Sequence, residues 1–160
     1  MKLTELLTVK SIKIGLSAKN KKEVISRMVD LATDSIKTGL SAKNKITNLD
    51  AIKTQVLERE NLATTGIGNG IALPHAKSNS VRSLVASFAI LKTPIDFEAI
   101  DGKSVRIVFL FLSNEENIGK QLRCISTFSK VFSNEENIEK ILNFEKESEI
   151  FDFLAKIIDN

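Results

Sequence analysis

At 160 residues the chain has the length of one domain able to bury a full core, and its 42% hydrophobic and 27% charged residues are ordinary for a soluble globular protein. The formal net charge of +3, from 23 basic and 20 acidic residues, is mild and interspersed, and the longest basic cluster, at Lys19-Asn20-Lys21-Lys22, is too short to argue for nucleic acid. No apolar stretch approaches the roughly 18 residues of a membrane span, the opening MKLTELLTVKSIKI shows no signal-peptide pattern, and the single Cys124 excludes an internal disulfide framework. A cytoplasmic domain with no stable membrane insertion is expected.

Leu3, Leu6 and Leu7 suggest a short opening helix, and Ser11 to Ile14 a strand. Asn20 followed by Glu23 is a helix-start signal. Val24, Met28, Leu31 and Ile36 then mark one helical face to about Lys37, and Gly39 ends the helix. Thr47 with Asp50 starts a second helix, faced by Leu49, Ile52, Val56 and Leu57, with Arg59-Glu60 at its end. Gly70 to Leu73 reads as a short strand. Two apolar runs of strand length follow, LVASFAIL at 84–91 and VRIVFLFL at 105–112. Both read as central strands covered on two faces. The connection KTPIDFEAIDGKS carries a turn signal at Asp101-Gly102. Asn117 to Phe132 is helical, with Ile118, Leu122, Ile125, Phe128 and Val131 on one side. Ser133 with Glu136 starts another helix, and Ser148 precedes a last one through Phe151, Leu154 and Ile158. The nine Phe sit in apolar runs and read as core. Helices outside and a few buried strands inside give an α/β fold of three layers.

Two exact repeats occur, GLSAKNK at 15–21 and 39–45 and SNEENI at 113–118 and 133–138. Each is too short for a solenoid period. They read as polar loop and helix-start chemistry recurring in a Lys/Asn-rich composition.

The stretch TTGIGNGIALPHAK, 64–77, holds the only histidine, His75. Gly66, Gly68 and Gly70 permit positive φ and uncover amides that can face an anion. Pro74 fixes φ just before the imidazole. The pattern lacks the dinucleotide fingerprint and the Gly-Lys-Ser/Thr ending of a nucleoside-triphosphate loop. A nucleophile, an arginine and uncovered amides are the parts that phosphoryl transfer uses. Taken alone, Arg59 also reads as a helix-end cation favoured by the macrodipole, and Thr65 as a turn residue. Cys124 reads as a buried small hydrophobe rather than a nucleophile paired with His75. One His and one Cys cannot close a metal site, so no metal and no cofactor are expected.

RE-x-x-x-TTGIGNGIALPHA resembles the phosphorylation-site signature of enzyme IIA domains of the fructose/mannitol class, in the bacterial phosphoenolpyruvate-dependent sugar phosphotransferase system. The resemblance extends to Asn20-Lys21-Lys22-Glu23 and to PIDFEAIDGKSVRIVFLFL at 94–112, and so to nearly the whole chain. It implies a mixed β-sheet flanked by helices on both faces and one phosphotransfer domain over residues 1–160. It implies that His75 is the phosphohistidine, charged by the phosphocarrier protein HPr and discharged to an enzyme IIB during sugar uptake. It implies that Arg59 faces the phosphoryl group and that Thr65 lies beside it. The family's usual second histidine falls on Gln121, in NIGKQLRCIS. Gln121 either donates to the phosphoryl group as a neutral stand-in, or leaves transfer slowed but intact, or marks drift toward regulation or lost function. A nitrogen-related regulatory branch, acting by phosphorylation-dependent protein binding, shares the motif and is the alternative to a fructose-type carrier.

Overall fold

A computed structural model describes residues 2–37 and 47–159, without the side chains of 35–37. Gly39, the side chain of Ile36 and the second GLSAKNK copy lie outside the described residues.

The two long apolar runs form the strands β5 (Val85–Ile95) and β6 (Val105–Ser113), paired antiparallel. Alternation sends Ala86, Phe88 and Ile90 of β5 with Ile107, Phe109 and Phe111 of β6 to one face. Val85, Ala89 and Leu91 with Val108, Leu110 and Leu112 go to the other. Both faces are apolar, so both need a cover. On the first face α3 (Ile118–Val131), α4 (Glu135–Asn143) and α5 (Glu147–Ile158) supply Phe128, Ile141 and Leu154, with Leu3 of an opening 3-10 turn. Here Phe109 stacks on Phe111 at 4.5 Å and meets Phe128 at 4.4 Å between ring centroids. On the second face α1 (Lys21–Lys37) and α2 (Leu49–Leu62) supply Val24, Met28, Ile52 and Val56. The Ser87 hydroxyl ties this layer to the sheet by donating to the Met28 carbonyl at 2.7 Å. The three-layer α/β arrangement expected from the sequence is therefore the one observed.

The sheet has six strands among the described residues. β1 (Ile12–Leu16) runs parallel beside β5. On the free side of β6 lie β3 (Ile71–Ala72) and β4 (His75–Lys77), both parallel to it, with β2 (Gly66–Gly68) antiparallel beyond β3. Leu73-Pro74 separates β3 from β4, which both pair with β6. Pro74 has no N–H to give the ladder, but its carbonyl accepts from Phe111 N at 3.0 Å, and His75 then pairs with Phe111. The mixed sheet places β4, and His75 with it, at the end of β6 that leads into α3.

Helix starts match the sequence reading at α1 and lie one or two residues from it at α2, α4 and α5. Asn20 caps α1 as expected, accepting from Glu23 N at 2.9 Å. The second helix is capped by Asn48 rather than Thr47, through Ala51 N at 3.1 Å. The fourth is capped by Asn134 rather than Ser133, whose hydroxyl instead donates back to Lys130. The last begins at Glu147 with Lys146 at its N-cap, two residues before the expected Ser148. The two SNEENI copies are both helix starts, Asn114 accepting from Asn117 N and Asn134 from Glu136 N. One larger correction concerns α3. Leu122 is 59% exposed, and Gln121 is buried on the face shared with Cys124 and Phe128.

Candidate functional site

Three elements converge on one open cleft of 420 Å³. Gln55, Glu58, Arg59 and Leu62 reach it from α2, at the i, i+3, i+4, i+7 spacing that puts side chains on one helix face. His75 and Lys77 reach it from β4, two residues apart and hence on the same side of the strand. Ile118, Gln121 and Leu122 close it from the first turns of α3.

His75 is partly buried, and its Nδ1 lies 2.8 Å from the Leu73 carbonyl oxygen. A carbonyl only accepts, so Nδ1 carries the proton and donates, and Nε2 keeps its lone pair. Burial holds the His75 pKa below the ordinary imidazole value; the Leu73 bond opposes this, the Arg59 charge adds to it, and the Glu60 charge opposes it. The net result is a neutral ring with a free nitrogen near neutral pH, the form that attacks phosphorus.

Arg59, partly buried, donates from Nη1 to the Ala63 carbonyl at 3.0 Å. That carbonyl terminates α2, so the helix-end role is real. It occupies one nitrogen of the guanidinium and leaves other N–H donors of the fork for the cleft. Gln121 is 2% exposed, and its carboxamide oxygen, like that of Gln55, is buried without a hydrogen-bond partner among the described residues. Such an amide gives up no oxygen-accepted bond when it turns about its last torsion, which is broad and two-fold. It can therefore present its N–H₂ to an anion.

The structure thus brings Arg59, His75 and Gln121 to one cleft. Thr65 does not line it. Its hydroxyl donates to Glu60 Oε2 at 2.5 Å and its amide to Glu60 Oε1 at 3.0 Å. Glu60 is a buried carboxylate, and Lys21 Nζ meets it at 2.8 Å. Lys21 also donates to the Phe97 carbonyl at 3.2 Å. From Thr65 the connection returns to the site, because its carbonyl accepts from Leu73 N at 3.0 Å, and the Leu73 carbonyl accepts from His75. Thr65 therefore reaches His75 through the backbone, and Glu60 anchors Thr65 beneath it.

The glycines do not line the cleft either. They shape the β2–β3 hairpin. A Cβ on Gly66 would lie 2.9 Å from that of Ala99, and Gly68 and Gly70 take φ of +97° and +78°. The Gly66 amide donates to Thr64 Oγ1 and the Asn69 amide to Asp101 Oδ2, so these two are committed within the fold. The anion cradle expected from the loop amides is not formed by them. Cys124 is buried on α3, away from the cleft lining, and burial pushes its thiol pKa up, as suits a core residue.

Sequence reasoning missed Gln55 and Lys77 as lining residues and the ion pair between Lys21 and Glu60. Gln55 and Lys77 had a readable signal, one helical turn before Arg59 and two strand positions after His75. The Lys21–Glu60 pair joins two helices far apart in sequence and had none.

Residues 5–157 match the family described as phosphoenolpyruvate-dependent sugar phosphotransferase system, EIIA 2. The chain is 36% identical over 154 residues to the fructose-specific EIIABC component of Bacillus subtilis, covering 96% of this chain and 23% of that protein. It is 30% identical over 162 residues to the fructose-specific EIIA component of Haloferax volcanii, covering 99% of this chain and 100% of that one. Its fold is similar to that of nitrogen regulatory protein IIA-Ntr from Neisseria meningitidis, with a TM-score of 0.83 at 24% identity, covering 95% and 98% of the two chains. By the family match over nearly its whole length and by these sequence relatives, the chain belongs to the enzyme IIA domains of the fructose/mannitol class of the sugar phosphotransferase system.

Proposed function

We propose that this domain carries a phosphoryl group on Nε2 of His75, taking it from phospho-HPr and passing it to an enzyme IIB that serves uptake of a fructose-like sugar. The observation that carries the reading is the Nδ1–Leu73 hydrogen bond at 2.8 Å, which leaves Nε2 as the free atom of a ring lining an open cleft beside Arg59. In the step proposed, the Nε2 lone pair attacks phosphorus in line while the bond from phosphorus to the donor's nitrogen breaks. That bond's electron pair stays with the donor. Nδ1 keeps its proton throughout. Charge spreads over the three equatorial oxygens, where Arg59 and the N–H₂ groups of Gln121 and Gln55 supply donors. Thr65 acts by holding the Leu73 segment that orients the ring.

The cleft suits protein partners rather than a free sugar. Its rim exposes Leu62 and Leu122, 84% and 59% accessible, which a docked protein would cover. Both donor and acceptor must place a phosphorus at the same nitrogen, so they use this rim in turn. The domain works in the cytoplasm in this reading. No helix among the described residues is long and apolar enough to cross a membrane.

Gln121 in place of the usual second histidine favours a second reading, a nitrogen-related regulator that signals its phosphorylation state by binding. A chase separates the two. The protein is labelled with phosphoenolpyruvate, enzyme I and HPr, and then mixed with a fructose-type enzyme IIB. Label that moves to enzyme IIB supports the carrier. Label retained on this chain supports the regulator.

A further inference from the structure

We propose that Lys77 is a second cation for the phosphoryl group, held by Glu115 in the unphosphorylated protein and transferred to the phosphoryl oxygens once His75 is modified. The inference rests on the proposed phosphorylation of His75 and adds a residue that nothing in the family motif required. Lys77 follows His75 by two positions on β4, so both side chains leave the strand on one side, and both line the same cleft. Its Nζ donates to Glu115 Oε2 at 2.8 Å. That pair is open to water, its side chains 47% and 77% exposed, and exposed ion pairs hold weakly.

Phosphorylation changes the competition. A phosphoryl group brings close to two negative charges and three acceptor oxygens, against the single charge of Glu115. Among the described residues the other charged side chains lining the cleft are Arg59 and Glu58. Arg59 already gives one N–H to Ala63. With Glu58 subtracting a charge, Arg59 alone leaves the phosphoryl group uncompensated. Lysine is suited to the exchange, since a compact ammonium with three donors on a flexible stem can move between partners without a fixed fork geometry. Glu115 opens the 3-10 turn (Glu115–Asn117) that leads into α3, so its release leaves a free carboxylate at the rim that a partner meets.

The test compares Lys77→Met, Lys77→Arg and Glu115→Gln with the unaltered protein at fixed phosphoenolpyruvate, enzyme I and HPr, reading the phosphorylated-to-free ratio at equilibrium. Lys77→Met should lower the ratio by about fivefold at low salt, the scale of one partly exposed charge-assisted hydrogen bond, and the deficit should shrink at high salt. Lys77→Arg should restore most of it. Glu115→Gln should raise the ratio, because the competitor for Lys77 is gone. The opposite signs discriminate, since a merely structural ion pair would respond alike to loss of either partner. The phosphorus resonance supplies a second readout, as the second ionisation of the phosphoryl group should move to higher pH in Lys77→Met. Equal ratios and equal phosphorus titrations in Lys77→Met and the unaltered protein overturn the inference, as does a lowered ratio in Glu115→Gln. If the unaltered protein takes no label at all, the phosphorylation reading itself fails; if it labels and Lys77→Met labels equally, only the role of Lys77 fails.

Discussion

His75 and Leu73 are joined by a hydrogen bond of 2.8 Å that runs from the imidazole Nδ1 to the backbone carbonyl two residues earlier. Pro74 stands between them with no N–H to give the ladder, and its own carbonyl accepts from Phe111 N. The tautomer follows from the acceptor and not from the ring. Nε2 is left as the reactive atom by a piece of backbone geometry.

Acceptance of the phosphoryl group should persist below the titration of a free imidazole, because burial outweighs the opposing Leu73 bond. Burial lowers the His75 pKa, with Arg59 adding to the effect. The neutral ring is the nucleophile, so the rate is lost as pH falls through the folded-state pKa, and that point lies below about 6.5. Arg59→Ala removes one of the lowering influences and should move the midpoint up. A pH–rate profile of His75 phosphorylation checks both. A midpoint above that of free imidazole in the unaltered protein would contradict the account.

Arg59→Ala should also slow transfer by roughly 10²-fold, the effect of losing one electrostatic stabiliser at the transition state. Stability should fall by only about 1 kcal/mol, for the bond to the Ala63 carbonyl that closes α2. Rapid-quench transfer and urea unfolding on the same variant separate these effects. Unchanged transfer with a large loss of stability would reduce Arg59 to its helix-end role.

Lys21→Met should be far more damaging to stability than Lys77→Met, although each removes one lysine from one ion pair. Glu60 has a fully buried side chain, and without Lys21 its charge keeps only the Thr65 amide and hydroxyl among these partners. Leaving a buried carboxylate short of its cation costs about 3 kcal/mol or more. Glu115, 77% exposed, is hydrated once Lys77 is gone, and the expected loss there is under about 1 kcal/mol. Urea unfolding curves for the two variants should differ accordingly, and similar midpoints would show that Glu60 is not the anchor described.

The contrast between those two pairs explains what the sequence disclosed. The apolar runs at β5 and β6 fixed two central strands because no charge interrupts residues 107–112 and only Ser87 interrupts 84–91. The helix caps were legible to within two residues. At Thr47-Asn48 and Ser133-Asn134 two adjacent side chains can each cap, and only the extended backbone at Asn48 and Asn134 selects between them. The face of α3 was misread at Leu122, which hydrophobic periodicity counts as core. The helix turns Leu122 to the rim and keeps Gln121 in the cleft wall with His75. The glycine run suggested an anion cradle, but a bond such as Asn69 to Asp101 spans 32 residues and leaves no local trace.

Gln121→His should leave the fold intact and raise the transfer rate, or at least not lower it. The position already lines the cleft with His75, and imidazole can donate to the phosphoryl group with a charge that the amide lacks. Steady-state transfer from phospho-HPr compares the variant with the unaltered protein. A rate reduced severalfold with unaltered stability would mean that the carboxamide itself is needed there.

Phosphorylation of the only histidine tests the central claim most directly. The protein is incubated with phosphoenolpyruvate, enzyme I and HPr, and the stability of the incorporated phosphate is measured beside that of His75→Ala. The account predicts one acid-labile, base-stable phosphate per chain, and none on His75→Ala. Label that survives the substitution, or a well-folded unaltered protein that takes none, would contradict it.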